Sequence, residues 1–202
     1  MRRSGLAIKT KNLVAILVVS LAMLACQKTP PAPVFQATDI TGATFARDFE
    51  LQDHNGKTRK LADFRGKVVA IFFGYTHCPD VCPTTLSDFA TALKSLGEDA
   101  NKVQVLFVTV DPERDTPALL KQFVPAFNPT FLGLHPSESQ LKVISNEYKV
   151  VHQKTATKDG EYLIDHSAGT YIHDTQGRIR LLIPYGSSAT TIASDLKALL
   201  KP

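Results

Sequence analysis

Apolar and polar residues follow two different periods along the chain, and the changes of period predict its secondary structure. Two short runs, 67–73 and 103–110, are almost wholly apolar and rich in Val and Phe, which predicts strands buried on both faces. Each run is followed by apolar residues at helical spacing, over 84–96 and 117–127. An Asn-Gly pair at 55–56, between two alternating segments, predicts an earlier β-hairpin.

The rest of the chain continues this alternation. Ser137 and Gln140 form a capping box ahead of a helix expected to end near Tyr148, and Ser188 precedes a closing helix. The further predicted strands are 130–134, 150–157, 162–164, 169–173 and 178–183. This order indicates an α/β domain with a central, mostly parallel sheet, an antiparallel edge and helices on both faces. With a cysteine pair after the first buried strand, the order resembles the thioredoxin fold.

The first 44 residues have the composition of a leader and a tether. Basic residues at positions 2, 3, 9 and 11 account for the whole formal net charge of +4, so the charge gives no reason to expect a nucleic-acid partner. The apolar run 13–25 is too short for a membrane helix and is typical of a secretory signal. Cys26 ends a lipobox-like sequence, so we expect it to be the lipidated first residue of a protein anchored to a bacterial cell membrane.

The predicted domain organisation follows from that leader. Residues 1–25 are the signal peptide, 26–44 are the lipid-anchor site and tether, and 45–202 are the folded domain, facing the periplasm or the cell exterior.

The segment between the first buried strand and its helix carries the candidate chemistry. Cys78 and Cys82 lie there with three residues between them. The free amides and dipole of a helix start favour thiolates, and the spacing allows the sulfurs to close a disulfide or to converge on one metal ion. If Cys26 is lipidated, one dithiol remains, which indicates a redox or metal-binding role rather than a structural disulfide. Two thiolates leave a metal ion under-coordinated, so a metal site needs a third ligand.

Six histidines could supply that ligand. His166 precedes the predicted strand 169–173, where thioredoxin-like proteins have a loop that faces the cysteines, and dithiol enzymes place a cis-proline near this position. His77 is adjacent to Cys78, but neighbouring side chains tend to point apart, so it is better suited to tuning the thiolates. The other four are interpreted as solvated or core histidines: His54, His135, His152 and His173.

Acidic residues near these positions are further candidates. Asp80, between the cysteines, and Asp165, beside His166, are candidates for tuning or orienting the ligands, although Asp165 can equally cap a turn. In the segment 111–117, Asp115 or the threonine after it fits a helix N-cap. The alternative is a loop that flanks the site or docks a partner.

Four blocks of sequence resemble the signatures of the Sco/SenC family, in that family's order, and cover roughly residues 45–202. They are 73–83 (FGYTHCPDVCP), 108–117 (VTVDPERDTP), 132–134 (LGL) and 165–167 (DHS). The resemblance implies a thioredoxin-like, membrane-tethered protein that binds copper through Cys78, Cys82 and His166 and serves assembly of the dinuclear copper centre of cytochrome c oxidase. Two thiolates and an imidazole suit Cu(I) and can also hold Cu(II).

The implied partners are the copper-accepting subunit of the oxidase, a periplasmic chaperone that donates copper, and the membrane. The resemblance favours a metallochaperone over an enzyme, and a disulfide between Cys78 and Cys82 would switch its copper binding off. One alternative is a thiol-disulfide reductase that uses the same cysteines as a redox pair to keep the recipient's cysteines reduced. Another is a peroxide-reducing or redox-sensing protein of the same fold.

Overall fold

Ten strands and four α-helices form between residues 33 and 201, the part of the chain that the computed structural model describes. The strands are β1 (Thr38–Asp39), β2 (Glu50–Asp53), β3 (Thr58–Lys60), β4 (Val68–Gly74), β5 (Val103–Thr109), β6 (Leu132–His135), β7 (His152–Ala156), β8 (Tyr162–His166), β9 (Thr170–His173) and β10 (Ile179–Ile183). The helices are α1 (Val81–Leu96), α2 (Pro117–Phe123), α3 (Glu138–Tyr148) and α4 (Ala189–Leu200).

Eight of the strands form one sheet in the order β1-β10-β9-β4-β5-β6-β2-β3, and β7 pairs with β8 in a separate hairpin. The predicted thioredoxin-like α/β fold is confirmed, with its N-terminal hairpin β2–β3. The sheet is more mixed than predicted, because β4–β5 and β5–β6 pair in parallel and their neighbours on both sides pair antiparallel. The difference arises because β6 pairs antiparallel with β2, a strand about 80 residues earlier in the chain, and local periodicity does not report such long-range pairing.

Helices cover both faces of this sheet, as the sequence predicts. On one face, α1 packs beside α4, and Phe123 of α2 contacts Phe107 of β5 with ring centroids 5.9 Å apart. On the other face, Tyr148 of α3 packs against Phe73 and Tyr171, with ring centroids 5.3 Å apart in each pair. The core therefore lies on both sides of β4 and β5, and the carboxyl ends of these two parallel strands meet at one edge.

Element boundaries differ from the predictions at three places. The helix after the cysteines begins at Val81 rather than near residue 84, since Pro83 fits a first helical turn. The second helix ends at Phe123 and continues as a 3-10 turn over Val124–Ala126. Strand β1, inside the predicted tether, pairs with β10, so the ordered fold includes residues before position 45.

The predicted signal peptide and Cys26 lie outside the described residues. Between residues 33 and 201, none of the helices combines the length and the apolar character that crossing a bilayer requires.

Candidate metal centre

The two cysteines lie at the amino end of α1, beyond the carboxyl end of β4. Cys82 is buried in the first turn of the helix, whereas Cys78 precedes the helix and is half-buried. The backbone amide of Cys82 donates to the sulfur of Cys78 at 3.5 Å. Asp80 occupies the N-cap position but makes no capping bond with its side chain, which instead accepts from Thr84 Oγ1 at 3.3 Å. The Cys78 sulfur therefore takes the place of a side-chain cap.

Gly74 allows Cys82 to lie directly against the sheet. A β-carbon at this position would lie 2.8 Å from the Cys82 sulfur and 2.9 Å from ring atoms of both Phe72 and Phe107. These separations are shorter than carbon contacts allow, so any side chain here would displace the sulfur or the rings. The glycine that ends β4 thus fixes the depth of the buried cysteine.

His166, the last residue of β8, faces this buried sulfur. Its Nε2 lies 3.5 Å from the sulfur of Cys82. Its Nδ1 donates to the carbonyl oxygen of Ser167 at 3.0 Å, an assignment that leaves a lone pair on Nε2. The rings of Phe72 and Tyr75 pack on the imidazole with centroids 6.1 Å and 5.9 Å away. The ring is therefore held with its free nitrogen toward the cysteines.

One ligand atom from each of Cys78, Cys82 and His166 lies within 4.8 Å of the other two. Among the described residues, this is the one group of three or more histidines, cysteines and carboxylates with such spacing. With metal–sulfur and metal–nitrogen bonds of ~2.3 and ~2.0 Å, ligands at a trigonal angle lie roughly 3.7 Å apart. The observed 3.5 Å between sulfur and nitrogen is close to that separation, so small shifts would let the three groups share one ion.

The other predicted site residues lie beside this cluster without joining it. His77 is half-exposed, and its Nδ1 lies 3.1 Å from Thr76 Oγ1. Asp165 accepts from Thr155 Oγ1 at 2.8 Å. The group that orients His166 is the Ser167 carbonyl and not Asp165. The remaining histidines are not part of the cluster and contact backbone or hydroxyl groups: His54, His135, His152 and His173.

Sequence reasoning offered Asp115 or Thr116 as the helix cap; the structure gives that role to Thr116 and places Asp115 under the cysteine loop. Thr116 caps α2, accepting from the amide of Leu119 at 3.2 Å. Asp115 is fully buried and accepts from the amide and hydroxyl of Thr76 at 2.9 and 2.6 Å. The site-flanking interpretation of this loop is therefore confirmed. The carboxyl ends of parallel strands meet at one edge of a sheet. The charged residues directly after β5 were therefore the sequence feature that could have placed this segment beside the cysteine loop.

The two thiols have different pKa values because their environments differ. A hydrogen bond from the Cys82 thiol, with weaker help from the backbone amides of Asp80 and Cys82, lowers the pKa of Cys78 to about 5. Donating that bond, together with burial, raises the pKa of Cys82. At neutral pH the metal-free pair therefore holds one thiolate on the exposed side, at Cys78.

We expect alkylation of metal-free, reduced protein by iodoacetamide to modify Cys78 first. Because its pKa is about 5, the rate should rise through that pH and be nearly flat above neutrality. An ordinary thiol, with a pKa near ~8.5, would keep gaining rate up to pH ~9. Tandem mass spectrometry of the peptide that contains both cysteines assigns each modification.

The control for this measurement is Cys82→Ala, which removes the largest cause of the low pKa of Cys78. Its rate profile should move to higher pH. An inflection near that of a free thiol in the unsubstituted protein would contradict the assigned hydrogen bond.

The protein has a thioredoxin-like fold with two sulfurs and one imidazole clustered at the end of a core strand. This places it in the class of proteins with an open, three-ligand site that suits a soft metal ion, since the half-burial of Cys78 and His166 leaves one side accessible. A model of the SCO1/SenC family matches residues 37–201. The chain belongs to this family, whose members are copper-binding proteins of cytochrome c oxidase assembly.

Individual relatives agree with that assignment. The chain is 33% identical over 182 residues to a SCO2-like protein of Rickettsia felis, covering 88% of this chain and 89% of the relative. It is 41% identical over 153 residues to the mitochondrial SCO2 homolog of Bos taurus, covering 74% and 58%. Among solved structures, Bradyrhizobium japonicum ScoI with copper bound matches at a TM-score of 0.69 and 42% identity, covering 74% of this chain and 96% of that one. Apo Sco1 from Thermus thermophilus matches at 0.73 and 38%, covering 82% and 97%.

Proposed function

We propose that this protein is an extracytoplasmic metallochaperone that binds one copper ion and delivers it to the dinuclear copper centre of cytochrome c oxidase during assembly. The observation that carries the proposal is the convergence of Cys78, Cys82 and His166 within 4.8 Å. The copper-bound relative from Bradyrhizobium japonicum and the family's part in oxidase assembly support the choice of metal and recipient.

The ligand set suits a carrier better than a permanent site. Thiolates and an imidazole are soft ligands that prefer Cu(I), whereas structural zinc takes four protein ligands. Buried Cys82 holds the inner side of the site, while half-buried Cys78 and His166 face its accessible side. A recipient's ligands can therefore approach on that side and replace the protein's ligands one bond at a time. No electron has to move in such an exchange.

The proposed location follows from the N-terminal sequence. Residues 1–25 are proposed as a secretory signal and Cys26 as the lipid-anchored first residue, so that the segment between Cys26 and strand β1 tethers the folded domain to the outer side of the cell membrane. A periplasmic copper donor and the copper-accepting oxidase subunit are the proposed partners. Both would meet the site outside the cytoplasm.

Copper titration and transfer test this function. The reduced protein should bind one Cu(I) per chain, and the disulfide form should bind none at the same site. Mixing the loaded protein with the copper-free, reduced copper domain of the oxidase subunit should move the metal, as measured by the copper content of the separated proteins. Retention of all copper by the loaded protein, at recipient excess, would contradict delivery.

A second candidate function is a thiol-disulfide reductase, and the low pKa of Cys78 is the observation that favours it. The Cys78 thiolate would attack a disulfide of the recipient, releasing one recipient thiolate and forming a mixed disulfide. Cys82 would then displace the second recipient thiolate, leaving Cys78 and Cys82 oxidised and the recipient reduced by two electrons. A Cys82→Ser variant would trap the mixed disulfide with an oxidised recipient, and this reaction would be insensitive to His166→Ala.

A further inference from the structure

The hairpin that carries His166 is not part of the main sheet. Strands β7 and β8 pair only with each other, and the residues of β7 after His152 are exposed. In a two-stranded hairpin of this kind, backbone pairing alone does not fix its position against the rest of the fold. The distance between His166 and Cys82 therefore depends on the contacts that attach the hairpin to the domain.

Two aromatic side chains and one arginine attach the hairpin to the domain, beside an ion pair between Lys154 of β7 and Glu113. The hydroxyl oxygen of Tyr75 accepts from the backbone amide of Ile164, two residues before His166 in β8, at 3.1 Å. Nη1 of Arg114 donates to the carbonyl oxygen of Tyr162 at 2.9 Å, and the guanidinium lies 3.6 Å from the centroid of the Tyr162 ring. The Tyr162 hydroxyl donates to Asp111 at 2.9 Å. Arg114 thus contacts both the backbone and the ring of the first residue of β8.

Arg114 is itself held firmly. Its Nε donates to the second carboxylate oxygen of Asp111, which is fully buried, and its guanidinium lies 5.8 Å from the centroid of the Tyr75 ring. A planar guanidinium has donors in a fixed fork, so it can bind a carboxylate and a carbonyl at the same time, which an ammonium group cannot do with the same geometry.

The same short segment also holds the cysteine side of the site. Asp115, one residue after Arg114, accepts from both the amide and the hydroxyl of Thr76, at the start of the cysteine loop. The segment from Asp111 to Asp115 therefore contacts the cysteine loop at one end and the histidine hairpin at the other. Its geometry sets the separation of the sulfur and nitrogen ligands.

We propose that Arg114 is a positioning residue for the copper site: it holds the hairpin so that His166 faces the cysteines before copper arrives. This inference rests on the proposed function, because it assumes that His166 is a copper ligand. Without the guanidinium, the hairpin loses its bond to the Tyr162 carbonyl and one of the two cations over the Tyr162 ring, so the position of His166 relative to Cys82 is less closely fixed. Copper then binds mainly through the two sulfurs.

The test measures Cu(I) affinity of the full chain by competition with a chromogenic chelator. Arg114→Met is expected to lower the affinity by ~10–100-fold, the range found when groups that orient a metal ligand are removed. The matched control is Arg59→Met. Arg59 pairs with buried Asp53 at 2.8 Å and lies over a ring at 5.9 Å; its side chain is 21% exposed, against 18% for Arg114. It lies away from the site, so its variant should keep the unsubstituted affinity.

A double-mutant cycle with His166→Ala separates positioning from general destabilisation. If Arg114 acts through His166, Arg114→Met should cause no further loss of affinity once the histidine is absent. In the Cu(II) form, Arg114→Met should also weaken the nitrogen hyperfine coupling of the electron paramagnetic resonance spectrum, whereas Arg59→Met should preserve it.

Each result has a distinct meaning. The positioning role alone would be overturned if Arg114→Met lowered the affinity equally with and without His166. It would also be overturned if Arg114→Met left the affinity unchanged although His166→Ala lowered it. If His166→Ala itself leaves the affinity unchanged, the three-ligand site of the proposed function fails first. Should Arg114→Met not fold, Arg114→Lys carries the same test, because an ammonium can pair with Asp111 without also reaching the Tyr162 carbonyl.

Discussion

Replacing His166 with alanine is expected to lower the affinity of the reduced protein for Cu(I) by about a hundredfold or more, or ~2.7 kcal/mol. The imidazole is already oriented by the Ser167 carbonyl, and its Nε2 lies 3.5 Å from the Cys82 sulfur, so little order is gained when metal binds. The variant removes the proposed nitrogen ligand and leaves two thiolates. A chelator competition titration at neutral pH measures the change.

His152→Ala is the matched control for this prediction. His152 lies directly opposite His166 in the β7–β8 hairpin, and its Nδ1 lies 3.5 Å from Ser145 Oγ rather than within the ligand cluster. The control removes an imidazole from the same hairpin and should keep the unsubstituted affinity. Equal affinities for all three proteins would refute the three-ligand site and leave dithiol exchange as the better account of the cysteines.

Local patterns predicted most of the elements, because their causes lie within a few residues. The apolar run of β4 is buried along its whole length. Gly56 has a φ of 79° in the turn between β2 and β3, a conformation that glycine adopts without strain. The Ser137–Gln140 capping box forms with both reciprocal hydrogen bonds. In each case the physical signal is contained in the sequence segment itself.

Strand order in a thioredoxin-like fold brings the cysteine loop and the loop before β9 to one edge, which made His166 a candidate, and the resemblance to the Sco/SenC family completed the ligand set. What the sequence did not reveal were the groups that hold these ligands. Arg114 contacts Tyr162 across 48 positions, and Asp115 contacts Thr76 across 39. The acceptor for His166 Nδ1 is a backbone carbonyl, which has no side-chain signature, whereas the more visible neighbour Asp165 accepts from Thr155.

Asp115→Ala is expected to reduce the free energy of unfolding by about 3 kcal/mol or more, since it leaves three donors without their acceptor at ~1–3 kcal/mol each. The carboxylate accepts from the amide of Thr76 at 2.9 Å and from the hydroxyl of Thr109 at 2.6 Å, both at the same oxygen. Its other oxygen accepts from the Thr76 hydroxyl at 2.6 Å. Denaturant unfolding of the reduced, metal-free protein measures the loss.

Asp115→Asn is the matched variant, and it should cost less than ~1 kcal/mol. The amide oxygen can occupy the position that serves the Thr76 amide and Thr109, while the amide nitrogen donates to the Thr76 hydroxyl, which is free to reverse its role. That hydroxyl can then donate to His77 Nδ1, 3.1 Å away. If asparagine is as damaging as alanine, the negative charge of Asp115, and not its acceptor geometry, stabilises the cysteine loop.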